Sequence, residues 1–172
     1  MSLLTLAVNV CAHQFGQANV VEQVQTTAAR TGAKPQMLKV ELNESMLAHD
    51  IEDIILKMHA LKEIGVGTSL DDFGTGYSSR SYLKRLPLDQ LKIDQSFVRD
   101  VMANGNDASI AKTIISLGKD LHFTVIAEGV ESAGQRDFLM TNDCHRFQSY
   151  LFSKPISAAQ LQHFVTQSQV NV

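Results

Sequence analysis

Six polar residues, Asn9, Glu41, Asp71, Lys92, Glu128 and Gln148, each fall at or near the C-terminal end of a short apolar run. Taken singly each has a plain explanation, since a buried glutamate beside a buried lysine reads equally well as a core ion pair. Taken together they make a chemical set. Three carboxylates, or four with Asp72, gathered at one place with two amides and one lysine would repel one another unless a cation sat among them, and hard oxygen ligands suit Mg²⁺ or Mn²⁺. The adjacent Asp71 and Asp72 are the most informative, because one carboxylate can bridge two ions while its neighbour binds only one. Two metals ~3.5–4 Å apart are the usual clamp for phosphoester hydrolysis, with Lys92 then facing the phosphate or the attacking water. After Asp72 comes Phe73-Gly74-Thr75-Gly76-Tyr77-Ser78-Ser79, a glycine-rich loop running into a helical pattern. Such a loop lets a ligand approach the backbone and can place phosphate at a helix N-terminus, although a plain strand-to-helix turn is the simpler reading of Gly-Thr-Gly alone. Glu44 is placed to cap the loop that follows it or to hold the glycine-rich loop; the bland alternative is a solvated carboxylate at a helix start. The six histidines show no metal-ligand spacing and receive no role.

Positioning such a set requires elements that converge. Apolar or β-branched runs at Leu4 to Val10, Met37 to Leu42, Val66 to Asp72, Gln90 to Asp94, Phe123 to Glu128 and Arg146 to Phe152 predict six strands. Helical patterns lie at about Val20 to Thr31, Asp50 to Ile64, Ser78 to Leu86, Asp107 to Leu121, Ala133 to Thr141 and Ala158 to Thr166, with Asp107 as the expected cap of the fourth. An α/β chain of this rhythm forms a parallel sheet covered by helices. Polar residues at every strand's C-terminal end point to a barrel, in which those ends share one mouth. The mean repeat is about 28 residues, within the range of a βα unit. A full TIM-like (β/α)8 barrel takes ~250 residues, so the expectation is an incomplete barrel with about six of eight βα units. Its first and last strands would keep open edges, which favours a homodimer.

Composition bounds the rest. At 172 residues the chain is one domain or most of one, expected over residues 1–166 with a frayed tail at 167–172. Hydrophobic residues make up 44% and charged residues 19%, enough apolar material for a core. A net charge of -3 gives no footprint for polymeric nucleic acid. No run approaches the ~20 apolar residues of a membrane span. Two cysteines, Cys11 and Cys144, suit a reducing compartment, so the cytoplasm is expected.

The segments Asn9-Val10-Cys11, Glu41-Leu42-Asn43-Glu44-Ser45, Asp71-Asp72-Phe73-Gly74-Thr75-Gly76-Tyr77-Ser78-Ser79, Leu91-Lys92-Ile93-Asp94, Ala127-Glu128-Gly129-Val130-Glu131 and Gln148-Ser149-Tyr150-Leu151-Phe152 occur in this order. Together they resemble the EAL-domain cyclic-di-GMP phosphodiesterases of bacterial signalling, across almost the whole chain. The resemblance implies a modified TIM barrel that uses two divalent ions, Mg²⁺ or Mn²⁺, to hydrolyse cyclic di-GMP to the linear dinucleotide. It implies Asn9, Glu41 and Asp71 as ligands of one metal and Asp71, Asp72 and Glu128 of the other. Lys92 resembles the lysine that orients or polarises the attacking water, Gln148 a residue that helps to hold water or substrate, and Glu44 the glutamate that anchors the loop after Asp72. Asp94 and the loop residues Gly74, Thr75, Gly76 and Tyr77 are assigned to substrate on the same ground. The resemblance also implies dimer contacts through that loop and an upstream sensory or diguanylate-cyclase domain in the parent, and it is compatible with a membrane tether there.

The departures matter as well. The Glu-Ala-Leu motif, whose glutamate is a metal ligand in the family, is absent upstream of Asn9. Cys11 stands where serine is usual, His13 for arginine, Asn43 for threonine and Ser149 for glycine. The expected function is therefore that of a cyclic-di-GMP phosphodiesterase for the parent protein, with weak or no activity for this chain alone. The rival is a catalytically inactive EAL-like sensor that binds the nucleotide or a protein partner. A third reading is a metal-dependent hydrolase of another phosphodiester.

Overall fold

The computed structural model describes residues 4–48, 50–76, 80–151, 153–161 and 164. Six strands form one sheet in chain order: β1 (Leu6–Asn9), β2 (Leu38–Asn43), β3 (Gly67–Phe73), β4 (Gln90–Ile93), β5 (Thr124–Glu128) and β6 (Phe147–Gln148). Each neighbouring pair is parallel, and the sheet curls into an incomplete barrel with β1 and β6 as its two edges. The sequence expectation of six parallel strands with helical crossovers is met. The helices are α1 (Ala12–Phe15), α2 (Val20–Thr31), α3 (Ile51–Glu63), α4 (Arg80–Leu83), α5 (Gln95–Arg99), α6 (Gly105–Asp120) and α7 (Ala133–Thr141). Residues 158–161 and 164 are also helical. The remainder of that expected helix, the tail 167–172 and Tyr77 lie outside the described residues.

Side-chain alternation explains how one strand serves both a core and a site. Val40, Leu42, Leu70, Leu91, Ile93 and Ala127 join the core that includes Met58 and Leu61 of α3, Ile114 and Ile115 of α6 and Leu139 of α7. The alternate residues Glu41, Lys92 and Glu128 fall on the opposite, inner face. Apolar burial at roughly 25 cal/mol per Å² holds the helices on the outside, and this leaves the inside free for polar chemistry. The outer cover thins at the first edge, where Leu6 is 62% and Val8 45% exposed.

Three local expectations need correction. Asp107 does not cap α6; the helix starts earlier, and the Asn104 side chain accepts from the Asn106 N–H at 3.0 Å. Asp107 instead accepts from the Asn104 amide group at 2.8 Å, inside the first turn. The last strand is limited to Phe147–Gln148, because the chain turns at Ser149 and Tyr150 instead of continuing the ladder. Helix α4, described over Arg80–Leu83, ends before the expected Leu86, while Ser78 and Ser79 lie outside the described residues. Two short helices, α1 and α5, are too brief to show helical periodicity in the sequence.

Candidate metal-binding centre

Adjacent residues on a regular strand point to opposite faces, so Asp71 and Asp72 could not both reach the barrel mouth from an unbroken β3. The strand solves this with a register shift between Leu70 and Phe73 and a left-handed backbone at Asp72, with φ of 54°. Aspartate tolerates that conformation better than most residues. The Asp72 N–H donates to Asp71 Oδ1 at 3.0 Å, which ties the two carboxylates together. Glu128, at the end of β5, completes a group of three carboxylates whose ligand oxygens lie within 4.8 Å of one another. An all-oxygen donor set of this kind fits a hard divalent cation.

Lys92, on β4 between β3 and β5, is 1% exposed. Its ammonium lies 2.6 Å from Glu128 Oε1, 3.1 Å from Asp71 Oδ1 and 3.1 Å from Glu41 Oε2. The lysine is therefore itself a cation among the carboxylates. The ion-pair reading of Glu41 with Lys92 is correct, and it coexists with the acidic cluster. Burial works to lower the Lys92 pKa, yet Glu128, Asp71 and Glu41 outweigh it and hold the ammonium above the ordinary lysine range. Burial raises Glu128 above the usual glutamate range, with repulsion from Asp71 and Asp72 added, against the pull of Lys92. Asp72 is raised as well, first by burial and then by Asp71 and by its charge and hydrogen-bond contact with Asp94.

The other expected residues take more varied places. Asn9 sits in register with Glu41 and Gln148 with Glu128, so both reach the same mouth; both are exposed. Glu44 is buried, and its Oε2 accepts from the N–H groups of Gly74 at 2.9 Å and Gly76 at 3.0 Å. It holds the loop, and the solvated alternative is excluded. A Cβ at position 76 would come within 2.9 Å of the Glu44 carboxyl carbon, which explains the second glycine. Thr75 spends its hydroxyl on the Asp72 carbonyl at 2.9 Å, closing the turn. Asp94 caps α5, accepting from the Ser96 N–H at 2.8 Å and from the Ser96 hydroxyl. Beside Glu128 lies a pocket of about 520 Å³, whose lining includes Gln148, Glu131, Tyr150 and Lys154.

In the sequence Asn43 stands out only as a departure from the family pattern, yet its amide group donates to Asp72 Oδ2. No spacing rule links positions 43 and 72. The contact arises because the ends of β2 and β3 are neighbours, with Asn43 in register with Asp71.

Comparison with known proteins now decides the family, since residues 2–155 match the EAL domain. This chain belongs to the EAL domain family. Among curated relatives, the EAL chain is 44% identical over 162 residues to the cyclic di-GMP phosphodiesterase NbdA of Pseudomonas aeruginosa, covering 94% of this chain and 21% of NbdA. It is 40% identical over 156 residues to MucR of the same organism, a bifunctional diguanylate cyclase/cyclic di-GMP phosphodiesterase, covering 91% of this chain and 23% of MucR. The solved MucR phosphodiesterase in complex with c-di-GMP superposes with a TM-score of 0.88 over 91% of this chain and 64% of that one. A manganese/cy-diGMP complex of Klebsiella pneumoniae BlrP1 gives 0.82 at 29% identity, over 90% of this chain and 40% of that one. The EAL chain thus spans about a fifth of the length of these curated relatives.

Proposed function

We propose that this chain carries the metal-binding part of a phosphodiesterase that hydrolyses cyclic di-GMP to linear pGpG. The observation that carries the reading is the cluster of Asp71, Asp72 and Glu128 at the barrel mouth, with Lys92 paired to Asp71 and Glu128. Asp71, Asp72 and Glu128 would hold one divalent ion, Mg²⁺ or Mn²⁺, and Asn9, Glu41 and Asp71 a second. Such ions supply charge neutralisation and polarisation of the phosphodiester. Hydrolysis adds one water across one P–O bond of the ring. Held as an ammonium, Lys92 has no lone pair with which to take a proton, so it orients the attacking water and offsets negative charge on the phosphate. Glu44 keeps the loop of Gly74, Thr75 and Gly76 at the mouth, while Gln148, Asp94 and the adjoining pocket would face the nucleotide, with Tyr77 assigned to substrate by its place in the motif.

Chelating carboxylates must sit within about half an ångström of their working positions. The exposed first strand leaves Asn9 poorly braced, so weak or no turnover is expected from this chain alone. We place the protein in the cytoplasm and expect a homodimer with further domains in the parent, consistent with relatives several times its length. The test is hydrolysis of cyclic di-GMP with Mg²⁺ or Mn²⁺ by this chain and by its parent with the upstream segment present. Turnover by the longer protein supports the enzyme. Tight binding by both without turnover would replace it with a sensor, and failure of guanine dinucleotides to bind would shift the substrate to another phosphodiester.

A further inference from the structure

The three clustered carboxylates are not held alike. Lys92 pairs with Asp71 and with Glu128, at 3.1 Å and 2.6 Å. Asp72 instead meets Asn43, whose Nδ2 donates to its Oδ2. The orientation of the Asn43 amide group is set independently, because its Oδ1 accepts from the Ser45 N–H at 2.9 Å. With the oxygen end committed there, the nitrogen end must face Asp72. The backbone adds reason for such a holder. Asp72 sits in the left-handed region next to a register shift, so the ladder that aims the side chains of Glu41 or Lys92 does not aim this one. The next residue after Asn43 is Glu44, which grips the N–H groups of Gly74 and Gly76. Two consecutive side chains at the end of β2 therefore clamp residues 72–76, one by a carboxylate and one by the loop backbone.

We infer that Asn43 is a positioning residue that fixes the Asp72 carboxylate in its ligating orientation through the hydrogen bond from its amide group. This rests on the divalent-ion reading given above. The chemistry favours an amide for the task. An ammonium at this place would neutralise Asp72 and compete with the ion, whereas a neutral N–H orients the carboxylate and leaves its full charge for the cation. Partners that orient metal ligands typically alter metal affinity by about 10–100-fold when removed.

The experiment measures Mn²⁺ binding to this chain by the loss of the free-ion electron paramagnetic resonance signal, alongside thermal melting without metal. Asn43→Ala is expected to weaken Mn²⁺ binding by about 10–100-fold, with the metal-free melting temperature within a few degrees of wild type. Asn43→Thr, which keeps a donor, is expected to recover most of the affinity. A purely structural asparagine would lower the melting temperature and leave affinity alone. Equal Mn²⁺ binding by wild type and Asn43→Ala, or absence of recovery in Asn43→Thr, overturns the inference and spares the metal centre. A wild-type chain that binds no Mn²⁺ overturns both. A metal-independent check is exchange of the Asn43 side-chain amide protons by NMR, expected to be slowed and to lose that protection in Asp72→Ala; unprotected protons in the wild type also refute the contact.

Discussion

Replacing Lys92 with methionine tests whether the lysine, rather than a bound ion, keeps the carboxylates together in the metal-free chain. The substitution keeps a long unbranched stem and removes the ammonium. It strands Glu41, Asp71 and Glu128, whose side chains are only 8%, 16% and 15% exposed, around a lysine side chain that is 2% exposed. Removing one partner of a buried ion pair costs about 3–5 kcal/mol. The three contacts do not add, because all of them share one ammonium; the lower half of that range, about 3–4 kcal/mol, is expected near neutral pH. At about 2–4 °C per kcal/mol for a domain of this size, the melting temperature should fall by roughly 6–16 °C. The sign of the pH effect is fixed by the direction of the shifts. Glu128 is already held above the usual glutamate range by burial, and loss of Lys92 removes the pull that opposes this, so its folded-state pKa lies above its unfolded value, the folded state binds that proton first and the deficit shrinks as pH falls towards the acid range. Wild-type Lys92 also has its folded pKa above the ordinary value, but there it is the charged form that is favoured. Its contribution is therefore complete below the unfolded lysine pKa and is lost only as pH rises through the folded one. Mn²⁺ at 100 times its dissociation constant should return about 2.7 kcal/mol to any variant that still binds it. Melting curves at several pH values, with and without Mn²⁺, provide the assay. A metal-free Lys92→Met chain that melts within about 2 °C of wild type would refute the ion-pair account.

Three further outcomes follow from contacts described above. Glu44→Ala removes the acceptor shared by the Gly74 and Gly76 N–H groups, so both amides should exchange at least about tenfold faster, equivalent to ~1.4 kcal/mol of lost protection, in hydrogen-exchange measurements. Asn104→Ala should cost about 1 kcal/mol in a urea melt through loss of the α6 cap, and Asp107→Ala clearly less, which reverses the ranking drawn from sequence. Gly129 has a φ of 64° and would place a Cβ 2.6 Å from that of Gln95. Gly129→Ala should therefore cost more than the ~1–2 kcal/mol of left-handed strain alone, and it should weaken Mn²⁺ binding by displacing Glu128, read by the same resonance signal.

The sequence alone determined the parallel α/β order of this EAL domain and most of the residues at its mouth. That information is local: apolar runs mark the strands, helical spacing marks α2, α3, α6 and α7, and polar residues at strand ends are visible by position. Asp107 misled because it is a good capping residue sitting three places inside a helix that Asn104 begins. Tertiary structure decided what no spacing contains. That Lys92 fills the space between Glu41, Asp71 and Glu128 depends on β2, β3, β4 and β5 lying side by side in a curled sheet. That Asp71 and Asp72 share a face depends on one left-handed residue at a register shift. The Asn43–Asp72 contact, across 29 positions of chain, exists only because two strand ends meet. Strand periodicity says which way a side chain points; only strand neighbours say what it meets there.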